Sequence, residues 1–599
     1  GIATATNVNF IDNDYFTLRY VDQIVWDGSQ FYNGAGTANA PDNSTDKCLK
    51  LLVKAGVAAT LTSNAYVKEI EVEAGAILNI ADGVEVSIKK GIINNGTINL
   101  LGEAQLIQEY NGVSTNSGTG KMNVRQQGTT NLYNYNYWSA PVNRNGSWKV
   151  GFLEHNGSAV QFHGASNANP NTTPITLSNR WLYRYNAYTN SVIGALGWVA
   201  LNPATSTLDP GIGYTMKGSG SSNTEEEYVF SGTANSGNYT YPATAGYDFL
   251  IGNPYPSALD AHTFIDDNLS VIDGTLSFYE HFTTNNSHIE LNYQGGYALL
   301  TKMGSTAAAA LPGAGGGSAT KPKPTKNIAI AQGFFVNIEN GGSLVFNNAQ
   351  RIFAKESTGD SVFYRENTNL TNEDIRTKFW LNFTDSSGLA REILLGYDTN
   401  ATQGIDRGYD AVDSNNYPDS MLWLLEEDLL AIQALNQFSI EDEIPLSVKI
   451  ATPGIYTVSL GDVLNFPDNT PLFLKDSFNN SYYNLLEDDA SFTFQAGTIN
   501  NRFSIVYREQ ESLDLSNIED AESLQVLFNK NTNVLQVIGI NDLRTIKAAY
   551  IYTIDGKQLG HFTDLKTNQF NMTHYRDGVY VLKLETTSGA VKNIKFVKY

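Results

Sequence analysis

Seven histidines, His155, His163, His262, His281, His288, His561 and His574, are the first residues to test for chemistry, and none stands at metal-ligand spacing. There is no His-Glu-x-x-His pair, and Cys48 is the only cysteine, so neither a thiolate metal cluster nor an intrachain disulfide is open to this chain. A serine nucleophile needs a sharp Gly-x-Ser-x-Gly elbow. The run Gly218-Ser219-Gly220-Ser221-Ser222 offers serine and glycine without the strand-turn-helix setting that would expose the hydroxyl. Gly315-Gly316-Gly317 is not followed by Gly-Lys-Ser/Thr and so cannot cradle a phosphate as a P-loop does. Paired carboxylates leave less trace, because glycosidases need only two acids across a cleft. Asp260, Asp266 and Asp267 follow the Asn253-Pro254-Tyr255-Pro256 corner, and Glu225-Glu226-Glu227 is a charge run. In a chain with 61 acids such neighbours arise by chance. The Pro-Tyr-Pro corner is expected to fix a turn, with a cis bond one way of doing so. No enzyme and no cofactor are expected. Ca²⁺ is the one ion the oxygen-rich turns Asp12-Asn13-Asp14 and Asp406…Asp410 could take, solvated turns being the plainer reading.

The elements that must position these residues are short strands. Between Leu51 and Gln108 three Gly-centred turns, Lys54-Ala55-Gly56, Glu73-Ala74-Gly75 and Asn94-Asn95-Gly96, each precede a strand. The apolar pairs Ala59/Leu61, Leu78/Ile80 and Ile98/Leu100 recur every 19 or 20 residues, the period of a β-solenoid whose coils stack on one another. Residues 121–365 and 366–508 carry many short strands at about ten-residue spacing. Within the first stretch, residues 302–326 run from alanines through glycines to Lys321-Pro322-Lys323-Pro324 and read as a surface loop. In the second, Leu422–Ala434 fits a short helix or a strand. Seven alternating strands fit between Leu524 and Val597. The predicted fold is therefore all-β: an irregular opening segment (1–46), a short solenoid-like region (47–120), two jelly-roll-like β-sandwich units (121–365 and 366–508), a polar linker (509–520) and a C-terminal immunoglobulin-like seven-stranded sandwich (521–599).

Composition bounds the setting. Apolar residues make up 41% and aromatics 11%, a globular mixture spread over a chain too long for one core. No stretch approaches the ~18 apolar residues of a membrane-spanning helix, so an integral membrane protein is not expected. With 39 basic against 61 acidic side chains the net charge is −22, which repels nucleic acid. The opening Gly1-Ile2-Ala3-Thr4 reads as a cut, as in the C-terminal part of something longer.

Three blocks near the C-terminus then carry a resemblance: Ile554-Asp555-Gly556-Lys557, Asp577-Gly578-Val579-Tyr580-Val581-Leu582-Lys583, and the terminal Lys595-Phe596-Val597-Lys598-Tyr599. With their spacing and position, this segment resembles the type A C-terminal sorting domain of cargo proteins of the type IX secretion system of Bacteroidota. It departs from that pattern where Asn529-Lys530-Asn531 stands in place of an Asn-Pro turn. Tyr135-Asn136-Tyr137-Trp138-Ser139-Ala140-Pro141, Leu250 to Ser257, Ala331 to Val336, Phe346 to Arg351 and Asp406 to Ala411 are similar to tails of large flavobacterial adhesin-like surface proteins. The resemblance implies export across the outer membrane to the cell surface. The translocon and its shuttle and attachment components would be the partners, and Asp555, Gly556, Lys557, Asp577, Gly578, Val579, Tyr580, Lys595, Val597 and Lys598 the sorting motif. It also implies an adhesin-like or structural role. The rival is a carbohydrate-binding accessory region of a secreted polysaccharide-degrading enzyme, with Trp181, Trp198 or Tyr214 as stacking platforms and surface glycans as the partner. Asp360-Ser361-Val362 and Asp419-Ser420-Met421 resemble the short Bacteroidota O-glycosylation pattern, with Ser361 and Ser420 as acceptors.

Overall fold

The computed structural model describes residues 22–34, 36–188, 197–311, 316–363, 374–385, 388, 390–413, 417–509, 525–538, 543–563, 565–587 and 591–599. The Asp12-Asn13-Asp14 turn and most of the linker therefore lie outside the described residues. The protein is all-β, as alternation predicts, and it divides into two compact units, one ending at Arg508 and one running from Glu509 to Tyr599.

The first unit opens with a three-sided solenoid in which every ladder between coils is parallel. One side stacks Lys50–Val53, Glu69–Val72 and Ile92–Asn94; the second stacks Ala58–Leu61, Ile77–Ile80 and Thr97–Leu100; the third stacks Ala65–Val67, Glu85–Ile88 and Gln105–Gln108. The apolar pairs of the sequence repeat are its register partners, Ala59 against Leu78 and Leu78 against Ile98, and all three are buried. Gly96 makes one turn possible, because a β-carbon there would lie 2.3 Å from the carbonyl oxygen of Ala76. A ladder of side-chain amides runs beside the core: Asn99 Nδ2 donates to Asn79 Oδ1 at 2.9 Å and Asn123 Nδ2 to Asn99 Oδ1 at 2.8 Å.

The strand Lys121–Thr129 joins this solenoid to the rest of the first unit. It runs parallel to Thr97–Leu100 on one side and antiparallel to Glu225–Ala234 on the other. Accordingly one apolar cluster continues from Ile24 through the coils to Trp138, Trp148, Phe230 and Phe363.

Two large sheets complete the unit. In the nine-stranded sheet Tyr135–Trp138 lies at one edge, yet it returns to the strand Gly333–Ile338. Ser139 N–H donates to Ala331 O at 2.8 Å, and Tyr137 stacks on Tyr279 of Ile272–His281 at 5.1 Å. The eleven-stranded sheet over Lys378–Val506 also curls, bringing Tyr483 and Phe492 of its two end strands to 5.2 Å. Strand spacing shows how many strands there are but not this winding. The Leu422–Ala434 stretch is a hairpin, Ser420–Leu425 against Asp428–Leu435. Ala307–Ala310 corrects the loop reading of 302–326. It belongs to the strand Ser305–Ala310, paired with Gly295–Leu300, and Gly296 lets the two backbones close, because a β-carbon there would lie 1.7 Å from Ala309 O.

The second unit contains the seven expected strands. Gln525–Asn529, Val534–Ile538 and Gln569–Asn571 form one sheet; Gln558–Thr563, Ile546–Thr553, Gly578–Thr586 and Val591–Lys598 form the other, in that order. Its own core holds Leu535, Val537, Ile551, Phe570, Met572, Tyr580, Leu582 and Phe596. At the Asn529-Lys530-Asn531 turn, Asn529 Oδ1 accepts the N–H of Asn531 at 3.0 Å, and this Asx turn closes the first strand pair without a proline.

Candidate functional site

The three C-terminal motif blocks, 20 or so residues apart in sequence, meet at one end of the four-stranded sheet. Register places Thr553 opposite Tyr580, and Tyr580 opposite Phe596. The hairpin turn Asp555-Gly556-Lys557 therefore sits beside the start of Gly578–Thr586 and the finish of Val591–Lys598. Gly556 adopts φ +83°, which a side chain would resist, and its N–H donates to Thr553 O at 2.9 Å. A hydrogen bond from Thr553 holds the exposed Asp555 carboxyl below its ordinary value.

Alternation divides these residues between two faces. Tyr580 and Phe596 point inward and stack at 5.7 Å, and the Tyr580 hydroxyl donates to Arg576 O. Val579 and Val597 pair on the outer face with Lys595, and Val597 is 48% exposed. Lys598 is buried along its stem, and its ammonium lies 2.7 Å from Asp577 Oδ1, a contact that lowers the Asp577 pKa. Phe528 packs against both the Lys598 ammonium (5.7 Å) and the Tyr599 ring (6.2 Å), and the Lys530 ammonium lies 5.5 Å from the centre of the Tyr599 ring. Residues 525–599 hold ten basic against five acidic side chains, a local excess of positive charge in a chain of net −22. The last strand forms the sheet edge, with a ladder on one side.

The other residues singled out from sequence fall elsewhere. Ser219 and His155 both bind Glu226, at 2.6 and 2.8 Å. The acid stands between hydroxyl and imidazole, so the histidine is not placed to take the serine proton. Burial alone would raise the Glu226 carboxyl, but these hydrogen bonds outweigh it and hold the value low. Asp260 caps the helix Ala261–Asn268, Asp266 pairs with Lys302 at 2.5 Å, and Asp267 accepts from Asn347 and Gln350. These three acids are thus spent on holding the fold. Tyr255 is fully buried and donates to Gly237 O at 2.7 Å. The Pro-Tyr-Pro corner has no cis bond; the cis peptide among the described residues is Thr173-Pro174. Asp410 accepts the N–H of Asp406 and of Ala434, both at 2.6 Å, and Asp406 accepts from Thr402. Among the described residues no three His, Cys, Asp or Glu side chains gather to hold a metal. Ser361 and Ser420 are buried, so neither hydroxyl is presented at the folded surface. A cleft of about 310 Å³ beside the solenoid is lined by Glu103, Gln126, Glu225, Glu356 and, as the one aromatic among the described residues, Phe363, and Gln126 already donates to Glu356 at 2.9 Å.

The aromatic residues proposed as sugar platforms are packed against other side chains of the chain. Tyr214 is fully buried, and Trp198 packs on Tyr185 at 4.7 Å. Trp181 has His288 stacked at 4.8 Å and the Lys217 ammonium at 4.2 Å. Lys217 itself was not legible as a site. It is enclosed by Tyr135, Trp181 and Tyr293 and donates to His288 Nδ1 at 3.2 Å; burial pushes its pKa down to about 7.

A family described as a domain of unknown function, DUF8693, matches residues 36–507. The chain belongs to that family. The match to DUF8693 stops one residue before the first unit ends at Arg508, so the basic C-terminal sandwich lies beyond it. No curated protein matches the chain. Among solved structures it is similar to Tp47, the 47-kilodalton lipoprotein of Treponema pallidum, at 8% identity over 37% of this chain and 87% of that one; the TM-score of 0.13 is too low to establish a common fold.

Proposed function

We propose that this is a non-catalytic protein of the bacterial cell surface, exported across the outer membrane by the type IX route. The C-terminal sandwich would be the element its translocon recognises, and the DUF8693 region the exported, adhesin-like or structural body. One observation carries the reading: the three blocks of the sorting-domain resemblance converge on one end of a separately packed sandwich. A receptor that reads a folded end needs those residues held in fixed relation, and the Asp577–Lys598 pair with the Tyr580–Phe596 stack supplies that rigidity. The last strand lies at a sheet edge, where a receptor strand could add by main-chain hydrogen bonding. The local positive charge would favour an acidic partner surface.

The test is to delete residues 509–599 in a host that has the type IX system and track where the protein accumulates. The truncated chain is expected to stay inside the outer membrane while the full chain appears on the surface. Replacing Lys595, Val597 and Lys598 together should reduce surface display and leave the periplasmic pool folded. A truncated chain that still reaches the surface would overturn the reading.

A further inference from the structure

A lysine, two carboxylates and an indole from four separate segments meet on the face of the eleven-stranded sheet that is turned toward Ser305–Ala310. Lys323 leaves its loop and lays its ammonium over the Trp380 ring, 4.4 Å from the centroid. Its Nζ lies 2.6 Å from Oδ2 of Asp462 and 3.3 Å from Oε2 of Glu392. Asp462 sits in Gly454–Leu464 where the register against Lys378–Thr384 slips between Phe379/Val463 and Leu381/Leu460, which places it beside Trp380. Glu392 is opposite Asn382 on the neighbouring strand, and its other oxygen accepts the Ala307 N–H at 2.9 Å. The Lys323 and Glu392 side chains are 13% and 11% exposed, so their charges are largely withdrawn from water, and Asp462 at 64% forms the outer wall.

We propose that Lys323 and Asp462 are the two ends of an intramolecular isopeptide bond that the chain forms by itself, with Glu392 carrying the proton. Glu392 takes a proton from the Lys323 ammonium and passes it to a carboxylate oxygen of Asp462. The freed amine attacks Cγ of the neutral carboxyl, and that oxygen stays on carbon as a hydroxyl. A second proton moves there from nitrogen, the Cγ–O bond breaks, and the oxygen leaves as water. The ammonium's three hydrogens end as one on the amide nitrogen and two in the water, so no oxidant, metal or outside reagent is needed. Burial raises the Glu392 carboxyl toward the range where accepting and returning a proton are both easy. Amine and carboxyl held in contact react as if at effective molarities of about 10⁵–10⁸ M, far above the concentration of competing water. The bond closes a span of 139 residues and ties the segment before Asn327 to the second large sheet.

Intact-mass measurement of the full chain after storage at neutral pH is expected to read one water below the sequence mass. Peptide mapping should recover a branched peptide joining the Lys323 and Asp462 segments. Lys323→Arg and Asp462→Ala should each restore the full mass. Glu392→Gln, with both bond-forming residues in place, should also restore it in freshly folded protein with an unchanged circular dichroism spectrum. The wild-type mass reads the bond whether or not any variant folds. A wild-type chain at full sequence mass with Lys323 open to amine labelling overturns the proposal. So does a water loss that survives in both Lys323→Arg and Asp462→Ala, which would put the dehydration elsewhere.

Discussion

Phe596→Ala tests whether the C-terminal sandwich stands on its own core. Phe596 is 6% exposed, stacks on Tyr580 and is one of eleven buried residues in that core. Truncating a buried phenylalanine costs about 3–5 kcal/mol, through lost transfer energy and the cavity left behind. A unit of about 75 residues, 525–599, has roughly 4–11 kcal/mol in total, so the variant should lose about a quarter or more of its stability. With a urea slope of about 1–3 kcal/mol per molar, its midpoint should fall by roughly 1–5 M. Composition supplies the assay. All seven tryptophans, from Trp26 to Trp423, precede the second unit, so indole fluorescence reports the first unit alone. Circular dichroism and tyrosine signals report both. The expected result is a low-urea transition by dichroism that moves down, beside a tryptophan transition that stays within about 0.5 kcal/mol of wild type. If the tryptophan transition moves equally, the two units do not unfold separately. If the loss is under about 1 kcal/mol, Phe596 is not the core residue its burial implies.

Three further substitutions probe the first unit. Gly96→Val should lower the tryptophan-detected urea midpoint by an amount worth at least ~2 kcal/mol, because its β-carbon would press on backbone oxygens of Ala76 and Glu73. Lys217 has a folded pKa near 7 against about 10.4 unfolded, so the unfolded chain binds the extra proton between these values and stability should rise with pH there. Lys217→Met should erase that rise, seen as midpoints that no longer differ between about pH 7 and pH 9. Glu226 is held below its ordinary value, so its contribution is present above the unfolded glutamate pKa and is lost as pH falls through the folded one. Glu226→Gln should therefore be destabilising at neutral pH and converge on wild type in acid, measured by urea unfolding at about pH 7 and pH 3.

How much was legible depends on the range of each interaction. The solenoid coils showed because inward residues such as Leu78 must recur once per coil, and the seven final strands showed because alternation and Asp-Gly turns are local signals. The curl of the large sheets did not show, since it depends on Tyr137 meeting Tyr279 and Tyr483 meeting Phe492, contacts that no nearby residue announces. The alanine strand Ser305–Ala310 looks like a loop in sequence because its pairing depends on Gly296 in a neighbouring strand. The motif blocks were read as separate signals, and only register brings Asp555, Asp577 and Lys598 to one end. Lys217 and Lys323 were missed altogether. Lys323 meets its two acids across 69 and 139 residues of chain, and each looks like ordinary surface charge in the sequence.

The strand Lys121–Thr129 works as a splice between two styles of chain: coil upon coil on one flank, up-and-down neighbours on the other. A stack of coils left bare would offer its final rung to the next molecule and grow into a fibre. Here the side that ends in Lys121–Thr129 is occupied by the chain's own Glu225–Ala234, and on the side that begins with Gln23–Trp26 the hairpin partner Phe31–Asn33 lies against that strand. Those two strands act as stoppers on their own sides of the column. Whole coils could be inserted or lost between the stoppers to change its reach while leaving both junctions intact.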